Sequence, residues 1–310
     1  MGQATDSSST DNIFERIAAM RLLESSKTYQ CRNYLDKDLP SCSYPSHGDS
    51  VDVGCRAKMI EWLSSIAEFC GFDRDTVCVA TSLSDRFLSQ STQEARNAIN
   101  DRRQFQLLFI TALHVSVKVR EPAHMDGPLL SKLSRGKYAA HEFAECERHL
   151  LEGLHWRISC PTATDFVYEL LSLLPKHGIR PTVKQTLLEV ASRMSTLAMS
   201  DFEFITTRPS LVALAAILES VRCMSYRDFP SRQRKEFFAS LEEVGGTSIT
   251  AGNIPSVRMW LKDHCIADVV NDETYPDMAL SVNRTAESES SLEGCSPVCV
   301  SSLSFRDNNK

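Results

Sequence analysis

The amino-acid sequence predicts an all-α protein built from two five-helix domains in tandem, preceded by one further helix. Three observations support this prediction. Between its polar ends, the chain shows the 3.6-residue spacing of apolar side chains that is typical of amphipathic helices. No alternation of apolar and polar residues persists long enough to predict a sheet. Five helices, a short link and five more helices follow one another, and the third helix of each block is the most apolar, which indicates a duplicated domain.

The composition is that of a globular protein and argues against several classes. The chain has 310 residues, 42% of them hydrophobic, and a formal net charge of −6. An acidic balance argues against a broad surface for nucleic acid or for anionic membranes. The longest apolar runs, 107–117 and 211–218, are shorter than the roughly 20 residues that cross a bilayer. The polar opening MGQATDSSSTDN does not have the pattern of a signal peptide.

The cysteines predict free thiols and no metal site. There are eleven, an odd number, and none has C-x-x-C spacing. In a chain without a secretory leader, such residues are mostly reduced and buried. Cys295 and Cys299 have no second pair of Cys or His nearby, which a zinc site needs. We expect no cofactor.

An N-terminal helix and a first domain are predicted after residues 1–10, whose polar composition indicates disorder. The lead-in, 11–54, begins with a helix at 12–24, where Ile13 and Ile17 are one turn apart. The first helix of the domain is amphipathic and ends at Gly71, and the third, with LLFITALHVSVK, is apolar all round and must be surrounded by the others. In this domain, 55–160, helices are expected at 55–70, 74–89, 102–119, 128–135 and 139–155.

A second domain is predicted over 161–268. Thr162 and Asp165 have the spacing of a capping box, and Pro209 and Pro255 fall in first turns, where proline is favoured. Helices are expected at 163–174, 182–200, 209–224, 231–244 and 253–265. The tail, 269–310, is rich in Ser and Glu and is predicted to be mostly disordered. The destruction-box spacing of Arg258 and Leu261 falls on a helix, which indicates a chance match.

Four charged residues are poorly placed for their own helices. Glu147 lies inside an apolar stripe, and Asp85 lies among apolar residues. Arg56 begins a helix, where the macrodipole disfavours a cation. Lys118 ends the most apolar helix of its domain; taken alone, it is explained by the preference for a cation at a helix C-terminus. Burial of a bare charge costs several kcal/mol, so two acids and two bases in such positions predict ion pairs between helices.

Several segments resemble the cyclin box, in order and at cyclin-like spacing. They are CRAKMIEWL, SLSDRFLS, QLLFITALHVSVKVRE and ECERHLLEGLHWRI, and DFEFITTRPSLVALAAILESV resembles the matching segment of the second cyclin fold. The resemblance spans residues 12–266 and implies two tandem cyclin folds. The family's five signature positions fall on Arg56, Asp85, Leu107, Lys118 and Glu147.

This resemblance implies a role for each signature residue. It makes Arg56 and Asp85 a structural ion pair, and it implies that Lys118 and Glu147 contact a cyclin-dependent kinase. The kinase-binding positions implied in this way are Lys118, Glu147, Leu107, Arg120 and Glu121. The implied function is a regulatory subunit, not an enzyme, which activates the kinase by positioning its C-helix in cell-cycle control. The expected location is the nucleus, the cytoplasm or both, and no homo-oligomer is needed.

A substrate-docking patch is also implied, with changes that weaken it. Many cyclins bind an Arg-x-Leu motif of substrates or inhibitors, and the matching positions here are Cys55, Lys58, Met59, Trp62, Ser65 and Gln106. Lys58 replaces an apolar residue, and Ser65 replaces an acid that faces the motif's Arg. We therefore expect weak or altered docking. Arg120 reverses a charge beside the kinase-facing residues, so partner preference is also expected to differ.

Three other functions remain open from the sequence. A cyclin-like scaffold, or a cyclin of a transcriptional or nutrient-linked kinase, would share the fold. A transcription factor IIB-like protein also has two cyclin folds and binds DNA, but the acidic balance and the lack of a zinc ribbon argue against it. An enzyme is disfavoured, because the zinc-protease-like segment at His141–Glu145 lacks its second histidine.

Overall fold

The structure is a computed structural model that describes residues 4–36, 51–123, 125–245 and 253–264. Over these residues it contains α-helices and no strand, which confirms the all-α prediction. The helices are α1 (Ala4–Ser25), α2 (Val53–Cys70), α3 (Arg74–Leu88), α4 (Gln93–Asn100), α5 (Arg102–Arg120), α6 (Gly127–Leu133), α7 (Ala140–Gly153), α8 (Ala163–Leu171), α9 (Pro181–Ser200), α10 (Pro209–Cys223), α11 (Ser231–Gly245) and α12 (Ile254–His264).

The described chain divides into two compact units, and the chain passes from one to the other between Gln30 and Cys31 and again between Ser159 and Cys160. The N-terminal unit contains residues 31–36 and α2–α7. The C-terminal unit contains α8–α12 together with α1, so the first helix of the chain belongs to the unit that is made last. The predicted tail, 269–310, and most of the loop before α2 lie outside the described residues.

In the N-terminal unit, α5 is the central helix. It packs against α2, α3, α4 and α7, and each side chain from Leu107 to Leu113 is buried. This arrangement follows from a helix that is apolar on every side. At the start of α2 the Asp52 carboxylate accepts a hydrogen bond from the backbone N–H of Cys55 at 2.7 Å. The helix ends at Gly71, whose φ of 71° is left-handed, as expected for a glycine C-cap.

Most predicted helices are present with ends shifted by one to three residues, and three larger or more informative differences stand out. The first helix begins at Ala4, inside the segment 1–10 for which disorder is expected. Helix α4 is not predicted at all, because it is polar and buries only the small side chains Ala95 and Ala98. Helix α7 ends two residues early, since His155 and Trp156 adopt left-handed φ values of 52° and 60°.

In the C-terminal unit, α10 is the central helix and packs against α8, α9 and α12. Its N-terminus has no capping side chain of its own. Glu24 of α1 supplies one: its carboxylate accepts hydrogen bonds from the backbone N–H of Ser210 at 3.0 Å and from the Ser210 hydroxyl at 2.5 Å. Glu24 is only 4% exposed. A buried carboxylate is stabilised there by the positive end of the helix.

A second buried carboxylate fixes α12. Glu219 of α10 accepts hydrogen bonds from Arg222 at 2.6 Å and from Arg258 at 2.7 Å. Leu261 of α12 is fully buried. Arg258 and Leu261, the pair with destruction-box spacing, therefore both hold α12 against α10.

The cysteines, the possible metal ligands and the hydropathy of the helices were compared with the sequence predictions over the described residues. Seven of the cysteines lie among them, and all seven are free thiols. No group of three or more His, Cys, Asp or Glu residues in this part of the chain is arranged to hold a metal ion. None of the helices described is long and apolar enough to cross a membrane. Cys295 and Cys299 lie outside the described residues.

Candidate functional site

The structure brings Arg56 and Asp85 together as a buried ion pair. Arg56 of α2 donates from Nε to Asp85 Oδ1 at 3.0 Å and from Nη2 to Oδ2 at 2.7 Å. Both side chains are almost fully buried. Burial alone would lower the pKa of Arg56, but the Asp85 charge outweighs it and raises that pKa above its ordinary value. This two-point contact ties α2 to α3.

Sequence reasoning missed the third member of this cluster, Tyr34. Its hydroxyl donates to Asp85 Oδ1 at 2.8 Å, and its side chain is 1% exposed. Burial, followed by the Asp85 charge, raises the pKa of Tyr34 well above its ordinary value, so the hydroxyl stays protonated and donates. Tyr34 lies in a non-helical segment, where no apolar periodicity signals burial. Its contact joins residues 31–36 to α2 and α3.

Lys118 and Glu147 form the second predicted pair, at the surface of the N-terminal unit. Lys118 Nζ, at the end of α5, donates to both carboxylate oxygens of Glu147 on α7, at 2.7 Å and 2.9 Å. Lys118 is 42% exposed and Glu147 24%. Two opposite charges from different helices therefore lie side by side and open to solvent, and the residue after Lys118, Val119, has an exposed side chain.

His114 lies next to this pair and was not identified from the sequence. It is one helical turn before Lys118, so the two share a face of α5. Its Nε2 is 3.8 Å from Glu147 Oε2, which is too long for a hydrogen bond. Burial, then the charge of Lys118, lowers the pKa of His114, while Glu147 acts in the opposite direction. The sequence did contain a signal for it, because His114 is a polar residue within the apolar stretch of α5.

The other two charged residues assigned to the kinase-facing surface, Arg120 and Glu121, contact α3. Glu121 Oε1 accepts from the backbone N–H of Asp73 at 2.9 Å and from the Thr76 hydroxyl at 2.5 Å, at the start of α3. Arg120 Nη2 is 3.7 Å from an oxygen of Asp75. Both side chains thus contact the first turn of α3, a role that the resemblance does not give them.

Leu107, another of the kinase-binding positions, is buried in the wall of a cleft. The residue is 8% exposed. It lines a cleft of about 290 Å³ between α4, α5 and α7, together with Phe87, Ala98 and Cys146. In partner binding, Leu107 would therefore act indirectly, by packing between α5 and α7 beneath the surface that the partner contacts.

The structure places the six docking-patch residues unevenly. Met59 and Trp62 are buried, at 7% and 4% exposure. Gln106 Oε1 accepts hydrogen bonds from Lys137 at 2.8 Å and from the Tyr138 hydroxyl at 3.0 Å. Ser65 is exposed, Lys58 and Cys55 are half-buried, and the Ser65 hydroxyl donates to the carbonyl of Glu61.

A peptide with an Arg-x-Leu motif is therefore expected to bind more weakly than about 1 µM. The Lys58 ammonium repels the peptide's arginine, Ser65 offers it no carboxylate, and the apolar side chains Met59 and Trp62 are buried. Fluorescence anisotropy with a labelled peptide measures the affinity. The double variant Lys58→Leu, Ser65→Glu should bind more tightly. Sub-micromolar binding by the unmodified chain would contradict this prediction.

Comparison with known proteins shows that most of the N-terminal unit is similar to one family. Residues 24–159 match the model of the cyclin N-terminal domain, a range that contains every signature position. The chain is 25% identical to Cyclin-A2-1 of Arabidopsis thaliana over 207 residues, which covers 66% of this chain and 44% of that protein. It is 25% identical to G1/S-specific cyclin-D1 of Mus musculus over 205 residues, 65% of this chain and 66% of that protein.

A solved structure shows the same fold. The X-ray structure of a viral cyclin from herpesvirus saimiri superposes with a TM-score of 0.53 at 19% identity, over 75% of this chain and 96% of that one. The likeness therefore extends beyond the N-terminal unit. The chain nevertheless spans less than half the length of the plant relative named above.

Proposed function

We propose that the chain is a cyclin, the regulatory subunit of a cyclin-dependent Ser/Thr kinase with a role in cell-cycle control; the match of residues 24–159 to the cyclin N-terminal domain supports this. One observation carries the proposal: Lys118 and Glu147, the two residues that the resemblance assigns to kinase contact, come from different helices of the cyclin domain and meet at its surface.

The proposed mechanism is activation by docking. The α5–α7 surface receives the regulatory C-helix of the kinase, with Lys118 donating to backbone carbonyls and Glu147 accepting from backbone N–H groups. Such charge-assisted hydrogen bonds orient the partner. Held in this place, the C-helix presents its Glu to the ATP-binding Lys of the kinase, an ion pair that phosphoryl transfer requires. The chain shifts the kinase toward its active state because it binds that state better.

Docking requires the Lys118–Glu147 pair to open, and the geometry makes this inexpensive. An exposed ion pair is worth about 0–1 kcal/mol, because water competes for both charges. Lys118 is 42% exposed and has a long, flexible side chain. In the free chain Lys118 and Glu147 therefore stay paired. When the kinase docks, its backbone carbonyls become the partners of Lys118 and its backbone N–H groups become the partners of Glu147, at little cost in free energy.

The proposal includes a non-catalytic role and a location. The reactive groups would belong to the kinase, and this chain would supply only binding and orientation. The proposed location of the chain is the nucleus, the cytoplasm or both, where it would meet such a kinase.

A direct reconstitution tests the proposed function. The full chain is mixed with each member of a panel of purified cyclin-dependent kinases, and binding and phosphorylation of histone H1 are measured. We expect one or more kinases to bind and to gain activity over the kinase alone. Binding without activation would favour a cyclin-like scaffold. Absence of binding to every kinase, with salt-dependent binding to promoter DNA, would favour a transcription factor IIB-like function.

A further inference from the structure

His114 has an unusual combination of burial and missing partners. Its side chain is 13% exposed, and its Nδ1 is inaccessible to water and has no hydrogen-bond partner among the described residues. Its other nitrogen, Nε2, points toward the Glu147 carboxylate at 3.8 Å. The ring therefore has one nitrogen in an apolar site and one beside a charge that is proposed to contact the kinase.

This environment selects one protonation state of the ring. A proton on Nδ1 would be buried with no acceptor, which costs more than leaving a lone pair there unused. A proton on Nε2 faces a carboxylate. The charged groups that act on the ring are Lys118, from its own helix, which lowers its pKa, and Glu147, from α7, which raises it. At neutral pH the ring is thus the neutral Nε2–H form.

We propose that His114 is a positioning residue for Glu147: when the kinase draws Lys118 away, Nε2–H of His114 moves onto Glu147 Oε2 and holds the carboxylate in its binding orientation. The inference rests on the proposed function, since it concerns the same surface. Closing the gap from 3.8 Å to a hydrogen bond takes a movement of about 1 Å, within reach of side-chain rotation.

The exchange of partners makes the affinity for the kinase depend on pH. In the free chain, burial and the nearby Lys118 disfavour the imidazolium, so the pKa of His114 lies below its ordinary value. In the complex, Lys118 is farther away and Glu147 accepts from the ring, so this pKa rises. Because the complex then takes up a proton more readily than the free chain, binding tightens as the pH falls through this window.

Two variants and a surface control test the inference. His114→Leu fills the space but cannot donate, and His114→Gln can donate but does not titrate. Against the kinase that binds the wild type most tightly in the panel, we expect a roughly tenfold loss of affinity for His114→Leu at pH 7.5, the scale of one charge-assisted hydrogen bond. His114→Gln should stay within about twofold. The exposed His141→Gln should behave as the wild type, and circular dichroism should show all four chains folded.

The pH profile separates positioning from mere packing. Between pH 7.5 and 6.0, we expect wild-type affinity to rise about threefold, and both His114 variants to change less. Nuclear magnetic resonance of the free, histidine-labelled chain should show the Nε2–H form of His114 at pH 7. An Nδ1–H form, or wild-type affinity and pH dependence in His114→Leu, would overturn the inference while leaving the kinase partner in place. If no kinase binds the wild type, the proposed function fails first, and the inference fails with it.

Discussion

Replacement of Asp85 by alanine is expected to lower the free energy of unfolding by about 3–5 kcal/mol, because it removes the carboxylate that balances the buried charge of Arg56. Arg56 and Tyr34 both bond to this one carboxylate. Since a domain is stable by only about 5–15 kcal/mol, the variant should be partly unfolded at 37 °C. Urea denaturation followed by circular dichroism measures the loss.

Matched variants separate the ion pair from its surroundings. Tyr34→Phe should cost about 1–2 kcal/mol, the scale of one buried hydrogen bond. Glu61→Ala, at an exposed position of α2, should change stability by less than about 0.5 kcal/mol. The double variant Arg56→Met, Asp85→Leu should be more stable than a variant that removes only Arg56 or only Asp85. In the double variant neither charge of the pair remains, so no buried charge is left unbalanced. An Asp85→Ala chain as stable as Glu61→Ala would contradict the structural role of this cluster.

Glu147→Ala is expected to raise the dissociation constant for the kinase about 100-fold or more. Removal of one partner from a hydrogen-bonded charge pair in an interface costs about 2–5 kcal/mol, mostly in dissociation rate. The helical signature should not change, since Glu147 is 24% exposed and its internal partner is an exposed lysine. Surface plasmon resonance with the kinase immobilised measures both rates.

Variants near Glu147 define the interface further. Lys118→Ala should weaken binding by a similar factor. Glu152→Ala is the control on the same helix, because Glu152 is 53% exposed and pairs only locally with Arg148. The two predicted site variants must lose binding while the control keeps it. Undiminished kinase binding by Glu147→Ala would remove Glu147 from the interface.

Much of the fold could be predicted because apolar periodicity reports burial directly. Helix α5, apolar on every side, is the centre of its unit, and α10 is the centre of the other. Helix α4 was missed for the same reason, since Ala95 and Ala98 are too small to mark an apolar stripe and the helix is fixed by packing on α3 and α5. Apolar periodicity also could not predict the burial of Tyr34, because this residue is outside the helices and its hydroxyl bonds to Asp85 of α3.

The candidate site could be predicted in part, where a charge is out of place on its own helix. Arg56, Asp85, Lys118 and Glu147 stood out in this way, and the structure pairs them. Arg120 and Glu121 did not stand out, because they follow the apolar stretch of α5 as its last residue and its C-cap. Their contacts with the start of α3 depend on how α3 and α5 cross, which a linear sequence does not state.

The cap that Glu24 places on α10 has a consequence for the order of synthesis. The two groups that bond are separated by 186 residues, so the nascent chain leaves the ribosome with its first helix unable to find its place. Residues 31–159 can fold meanwhile, as one continuous stretch. Helix α1 must wait for α8 and α10 to emerge, and a chain released early would expose the apolar side of this helix. The step most sensitive to chaperones is therefore the docking of α1 onto the helices of the C-terminal unit.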